Sequence, residues 1–434
     1  MDGKIKAEWQ PLKKVVIHRP GIEMFFGLLD PTGSLYERPF SREGALKEHH
    51  VLETVLKNEF KIDVQRLTDV LIQAMDEKPI IRQRVIEMAK ETMQWKGSDT
   101  GTEQSKQEFE DNIKHLDSSY FVNILLMNPT IELHAENQKM GKDWANLKLR
   151  NPLSNLYFMR DQQFVTDQGI VLTRMANPVR RGEPRLTRLV WEEVFGLPII
   201  HEMTDPAMIE GGEFIPMGDF AMVGIGSRTN REAINQLLSI PMDYKEIAVV
   251  HQPMHPLVAS EQPDPMINMH LDTYFNVAGK DVAVGSELLL KNAKVEIWKN
   301  EGSKYVKTKE EPTLEEYIRK KGFNLVSLTT LEQLSYASNF LCIEDKKILA
   351  IEVEQNVPSV LENLERKAVQ NPKRYGKLAA QAKQDYENLK NEGQFFPHKK
   401  EMYQNGVESY PVVLKNLTGG YGGAHCMTCS LSRG

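Results

Sequence analysis

A chain of 434 residues with 41% hydrophobic and 26% charged residues has enough apolar sequence for a large core, in one ring-like domain with an insertion or in two domains. Its formal net charge of −6 gives no reason to expect nucleic acid or an anionic membrane as partner, and no apolar run is long enough to span a bilayer. Three cysteines cannot build a disulfide framework, and the opening residues carry no signal-like apolar stretch, so a soluble protein of the reducing cytoplasm is expected.

In chain order, Leu12-Lys-Lys-Val-Val-Ile17 followed by Arg19-Pro20-Gly21 reads as a strand ending in a turn. Leu46, Leu52, Val55 and Leu56 then keep helical spacing over residues 45–58, and residues 61–65 suit a second strand. Residues 1–66 are thus expected to form a first, degenerate module. From 67 to 149 helical, charged stretches dominate (85–95, 103–115), which predicts an inserted helical subdomain.

A repeated pattern follows. Hairpin-like apolar runs around polar turns begin near Asp161, Glu213, Asp272 and Asn339, at intervals of about 50 to 70 residues. Helical stretches follow at 186–195, 231–239, 314–321 and 359–368. Further apolar runs come after three of them, at 198–200, 247–250 and 325–328. This predicts an α/β fold in which modules form a pseudo-symmetric ring. Equivalent strand ends would then converge on one axis and bring carboxylates, a histidine and an asparagine into one pocket. Residues 365–404, rich in Lys, Gln, Glu and Ala, read as a solvated surface helical insertion.

The chain then reaches Gly419-Gly420-Tyr421-Gly422-Gly423 and His425-Cys426-Met427-Thr428. Cys426 after a glycine-rich loop suits a thiolate nucleophile. Taken alone, such a cysteine is more often a small buried hydrophobe, and Cys426-x-x-Cys429 could also be a redox or zinc pair, although zinc would find only His425 nearby. His270-x-Asp272 puts two polar side chains on one side of a strand entrance, where histidine can serve as general acid and base. Glu210-Gly211-Gly212-Glu213 brings two carboxylates to a turn. Asp161 follows the apolar lead-in Asn155-Leu-Tyr-Phe158-Met-Arg160, so its burial demands a cationic or hydrogen-bonding partner. Arg180 and Arg228 each follow the outer strand of a module and offer forks for a carboxylate. No phosphate-binding loop or dinucleotide fingerprint is present. The constellation fits a substrate that is cationic at one end and anionic at the other, and it requires no metal.

As a set, Asn155-Leu-Tyr-Phe-Met-Arg-Asp161, Glu210-Gly-Gly212, His270-x-Asp272 and Gly422-Gly-Ala-His425-Cys-Met-Thr428, with the opening Leu12-to-Gly21 segment, resemble the arginine deiminases of the guanidino-group-modifying superfamily over most of the chain. The resemblance implies a five-bladed pseudo-symmetric α/β propeller, with blades in 1–66 and 150–434 and the helical subdomain at 67–149. It implies hydrolysis of L-arginine to L-citrulline and ammonia through a cysteine amidino-thioether, with no cofactor and no metal. By the same resemblance Cys426 is the nucleophile and His270 the proton shuttle. Asp161 and Asp272 grip the guanidinium, and Glu210 supports the charged form of His270. Arg180 and Arg228 hold the α-carboxylate, with Asn155 and Phe158 lining that end. L-arginine is the expected partner, and a homo-oligomer is left open.

Three positions depart from the family pattern. Glu213 stands where aspartate is usual, and Tyr421 where bacterial members commonly have arginine. No clear Phe-Asp-Asp match occurs near Leu35-Tyr36-Glu37-Arg38. Related chemistries remain as alternatives: an arginine dihydrolase giving ornithine, an amidinotransferase, or a silent arginine-binding protein on the same fold. An agmatine deiminase would leave Arg180 and Arg228 without a carboxylate to bind.

Overall fold

The computed structural model of the protein describes residues 3–97, 99–134, 144–265, 267–302 and 304–434. Four stretches repeat one arrangement, in which an antiparallel hairpin is followed by a helix and then by a strand parallel to the hairpin's second strand. The hairpins are Gln163–Val165 with Ile170–Leu172, Phe214–Pro216 with Phe220–Ile225, Phe275–Gly279 with Val282–Ser286, and Leu341–Glu344 with Lys347–Ile351. Their parallel partners are Ile199–Glu202, Glu246–His251, Asn324–Leu328 and Glu408–Val412.

A fifth sheet has the same arrangement with its parts drawn from both ends of the chain. Leu12–Ile17 runs parallel to Asp63–Arg66 across the helix Arg42–Asn58, and its antiparallel partner is Cys429–Arg433. The architecture is α/β with separate mixed sheets. Among the described residues, no helix is long and apolar enough to cross a membrane.

The central strands read as continuous apolar runs because both of their faces are covered: Ile170–Leu172 and Val282–Ser286 are buried throughout. The helices show one apolar stripe. Arg231–Ser239 buries Ala233, Ile234 and Leu237, and it begins where the Asn230 side chain accepts the Ala233 N–H at 3.1 Å, a cap that stabilises by about 1 kcal/mol.

The structure corrects the sequence reading in three places. The 67–149 segment is not purely helical, since Gln94–Lys96, Pro129–His134 and Trp144–Leu149 form a small sheet beside its helices; residues 135–143 of it lie outside the described residues. The second unit's sheet gains two strands, Val295–Asn300 and Tyr305–Lys307, from the chain between the third unit's hairpin and its helix. The segment read as a solvated insertion is a hairpin of helices, Val353–Gln370 and Pro372–Glu392. Within 365–404 it packs Leu378, Ala382 and Leu389 into the core, beside Val357, Val360 and Leu364 of the preceding turns.

The residues just before each hairpin's first strand are buried and face inward: Asp161, Glu213, Asp272 and Asn339. In the fifth sheet the strand in that position is Cys429–Arg433, and Cys426 lies three residues before it, as Asp272 does before Phe275. The sequence repeat therefore delivers five polar entrances, the last occupied by a thiol.

Leu431, fully buried in the C-terminal strand, tests how much this closure of the fifth sheet matters. Leu431→Ala is expected to lower unfolding free energy by about 2–5 kcal/mol in urea titrations. A change within about 0.5 kcal/mol would show that the strand is not part of the cooperative core.

Candidate active site

His270 lies between two carboxylates. Its Nε2 is 2.8 Å from Glu210 Oε2, and its Nδ1 faces Asp161 Oδ1 at 3.7 Å, too far for a hydrogen bond. Burial disfavours a charged imidazole here, but Asp161 and the hydrogen bond to Glu210 override it and push the His270 pKa up to about 9. Burial likewise opposes a charged Glu210. Arg228, 3.7 Å from its Oε1, and His270 prevail and hold Glu210 down to about 2. At neutral pH this is a histidinium resting on a carboxylate.

Gly212 makes the close approach possible. A Cβ there would sit 2.7 Å from His270 Nδ1 and 3.1 Å from both Asp272 oxygens, so a side chain would push the pair apart. Glu213 follows, buried, with Oε2 accepting the N–H of Leu271 at 2.8 Å, between the two functional residues of the next unit. Burial pushes its carboxyl up to about 7.

Cys426 is held by its backbone. Its N–H donates to Asn339 Oδ1 at 3.1 Å, which also accepts the Gly423 N–H at 2.8 Å, and Asn339 Nδ2 donates to the Asp272 carbonyl at 3.2 Å. The thiol faces Asp272 Oδ2 at 3.5 Å. Burial, with Asp272 and Asp161 nearby, raises its pKa well above the ordinary thiol value, so it is protonated in this state. Gly422 lets the loop fold over the site, since a Cβ there would lie 2.6 Å from the Phe158 ring and 2.9 Å from Cys426 Cβ.

Two atoms that face each other across Gly212 are left over. Asp272 Oδ1 and His270 Nδ1 are buried and have no hydrogen-bond partner. An unpaired buried carboxylate oxygen costs several kcal/mol unless a cation or donor reaches it. Asp161 and Glu210 oxygens and a His270 nitrogen lie within 4.8 Å of one another, a grouping of metal-ligand type. A histidine kept in its charged form, however, offers no lone pair to a metal. A planar donor such as a guanidinium suits these oxygens better.

Of the expected carboxylate-binding pair, Arg228 is buried beside Glu210. Arg180 is placed differently. Its Nη1 donates to Asp161 Oδ2 at 2.7 Å, and its Nε and Nη2 hold Glu183 at 3.0 and 2.8 Å. In this structure Arg180 thus occupies the Asp161 oxygen expected to receive the substrate cation. Asn155 and Phe158 line that side through their carbonyls, 3.4 and 3.5 Å from Arg180 Nη2. Glu183 carried no pattern in the sequence. Asn339 did, as the start of the fourth repeat, and its amide anchors the loop that carries Cys426. The loop near residue 37 clasps the glycine loop: the Glu37 and Arg38 N–H groups donate to Gly419 O at 2.8 and 3.2 Å. Tyr421 packs edge-on against Tyr336, with ring centres 5.6 Å apart.

A family model described as arginine deiminase matches residues 33–433. An arginine deiminase of Halobacterium salinarum is 26% identical over a 506-residue alignment covering 98% of this chain and 96% of that protein. Another, from Oenococcus oeni, is 26% identical and covers 66% of this chain and 69% of its own length. Among solved structures, the N-terminal domain of an arginine dihydrolase from the cyanobacterial ornithine–ammonia cycle aligns over 97% of both chains, with TM-score 0.50 and 12% identity. A DDAH from Pseudomonas aeruginosa complexed with citrulline covers 96% of this chain and 98% of its own, with TM-score 0.49 and 13% identity.

Glu213 generates a pH prediction. Its folded-state pKa of about 7 exceeds the ordinary 4.5, so the folded protein binds this proton more tightly than the unfolded chain. The stability it contributes is fully present below 4.5 and lost as pH rises through about 7. Glu213→Gln, which keeps the acceptor for Leu271, is expected to remove a fall on the order of 3 kcal/mol across that window, measured by urea unfolding on either side of it. An unchanged slope would mean Glu213 is ionised in the folded protein.

Proposed function

The chain belongs to the arginine deiminase family and hydrolyses L-arginine to L-citrulline and ammonia, and from that premise we propose a covalent route through Cys426. The observation that carries it is the thiol beside a buried Asp272 with an unsatisfied oxygen, opposite a charged His270. The substrate guanidinium lies between Asp272 and Asp161, and its positive charge offsets the two carboxylates that hold the thiol protonated. Substrate binding therefore promotes loss of the thiol proton to solvent. This assigns the raised Cys426 pKa a purpose, since the nucleophile is activated only when its target is present.

The thiolate attacks the guanidinium carbon, and His270, charged on its bond to Glu210, gives its proton to the departing ammonia. The resulting amidino-thioether is attacked by water, whose proton returns to His270. The C–S bond then breaks, citrulline leaves, and the remaining proton restores the thiol. Arg228 holds the substrate α-carboxylate. Arg180 joins it by exchanging Asp161 for that carboxylate as the guanidinium takes its place, and Asn155 and Phe158 frame this end.

We read the five like sheets as blades of a pseudo-symmetric propeller, with 67–149 as an insertion between the first blade and the rest. Their repeated strand pattern supports this. The three free thiols suit the cytoplasm.

Cys426→Ser should abolish citrulline formation while the protein stays folded and binds arginine. Cys429→Ser, three residues further on at the start of the C-terminal strand, should stay active. A colorimetric citrulline assay decides, and appreciable turnover by Cys426→Ser would exclude the thiol. Wild type should release one ammonia per citrulline; two, with ornithine, would identify a dihydrolase. Because the carboxylates are assigned to a guanidinium, dialysis against EDTA should leave the rate unchanged. Loss restored by one divalent ion would reassign them to a metal.

A further inference from the structure

Outside the residues assigned so far lies a buried row of charge reaching the site from behind. Glu8, in the segment before the first strand, is 1% exposed. Its Oε1 is 3.1 Å from Arg160 Nη1, and its Oε2 is 2.9 Å from Arg433 Nη2. Oε1 also faces His425 Nε2 at 3.6 Å. The opposite edge of that ring meets Asp272, with Nδ1 at 2.8 Å from Oδ2. Arg160 ties the row to the nucleophile's own backbone, as its Nε donates to the His425 carbonyl at 3.3 Å and its N–H to the Cys426 carbonyl at 3.0 Å. The backbone of Glu8 is itself anchored, donating to Pro216 O at 3.0 Å.

We propose that Glu8 and His425 are positioning residues for the deimination reaction, the row Glu8–His425–Asp272 fixing the rotation of the Asp272 carboxylate so that its free oxygen meets the substrate guanidinium. The proposal rests on the reading of Asp272 as a guanidinium ligand. A carboxylate can only accept, so Nδ1 carries the hydrogen in this bond. That bond pins Oδ2, leaves it facing the thiol, and so sets where Oδ1 points. Oδ1 is the oxygen found buried and unpaired. With Nδ1 committed to Asp272, Nε2 is the ring's other handle; it is buried without a hydrogen bond, and Glu8, 3.6 Å away, is the charged group set against it.

A buried ionic row that served stability alone would gain little over apolar packing of the same volume. This row is not self-contained, since its last member is the residue left with a free oxygen in the site. His425 stands in the sequence beside Cys426, where it invites a zinc reading; in the structure its two ring nitrogens face carboxylates, Asp272 on one edge and Glu8 on the other.

The test measures kcat and KM for L-arginine, with thermal unfolding, in wild type, His425→Ala, His425→Asn and Glu8→Gln. His425→Ala removes the donor, and kcat/KM should fall by about 100-fold with a raised KM, the scale expected for a misplaced binding group. His425→Asn puts an amide N–H near the place of Nδ1 and should recover most of that loss. Glu8→Gln keeps the shape but not the charge, and should lower kcat/KM by about 10-fold or more while the protein still unfolds cooperatively. Wild-type kcat and KM in His425→Ala or Glu8→Gln would overturn the proposal, as would a His425→Asn variant that folds yet is as impaired as His425→Ala. If His425→Ala does not fold, the comparison of Glu8→Gln and His425→Asn with wild type decides alone. Wild type that forms no citrulline would overturn the underlying reading instead.

Discussion

A carboxylate oxygen kept from water without a donor is the constraint on which the rest of this structure turns. Asp272 Oδ1 is in that state, and so, on the opposite wall, is His270 Nδ1. Folding alone would not select such an arrangement, because burying a polar group unpaired is unfavourable. Three neighbouring features hold it open. Glu210 restrains His270, His425 restrains the other Asp272 oxygen, and Gly212 leaves room where any side chain would wedge the two apart. Arg180, resting on Asp161, shows what satisfies such an oxygen: a guanidinium.

The fold supplies this pocket by repetition. Each unit's first strand begins at the same place relative to its sheet, so the residue before it is buried and directed inward. Four entrances carry Asp161, Glu213, Asp272 and Asn339, and the fifth carries Cys426 at the head of the C-terminal strand. Cys426, the proposed nucleophile, is therefore placed by the same device as the carboxylates proposed to bind the guanidinium. Its geometry depends on the pairing of Cys429–Arg433 with Leu12–Ile17. The Glu8 row reinforces that junction, since Arg433 lies in the same C-terminal strand and Glu8 just ahead of its partner.

The parts of this that were legible in the sequence are local. Apolar runs around polar turns marked four hairpins, helical spacing marked the helices between them, and the recurrence of acidic or amide residues at strand entrances located the pocket. What escaped was non-local. Nothing in Cys429-Ser-Leu-Ser-Arg433 says that it pairs with the first strand of the chain, so Cys426 was recognised from its glycine loop and from family resemblance, not as a fifth entrance. The strands Val295–Asn300 and Tyr305–Lys307 joined a neighbouring unit's sheet for the same reason. Glu8 is one carboxylate in a short segment without periodicity, and its partners lie far along the chain. Arg180 was identified as a guanidinium near the site, but sequence spacing does not say which of Asp161, Glu183 or a substrate carboxylate it will meet.

The central claim is that Cys426 becomes covalently bonded to the guanidinium carbon during turnover. The most direct test is rapid acid quench of the protein with L-arginine in the steady state, followed by peptide mass spectrometry. The account requires a peptide containing Cys426 whose mass is increased by arginine less one ammonia, with Cys342 and Cys429 unmodified. The adduct should disappear once substrate is exhausted. Steady citrulline formation with no such adduct at any quench time, or an adduct on another residue, would contradict it.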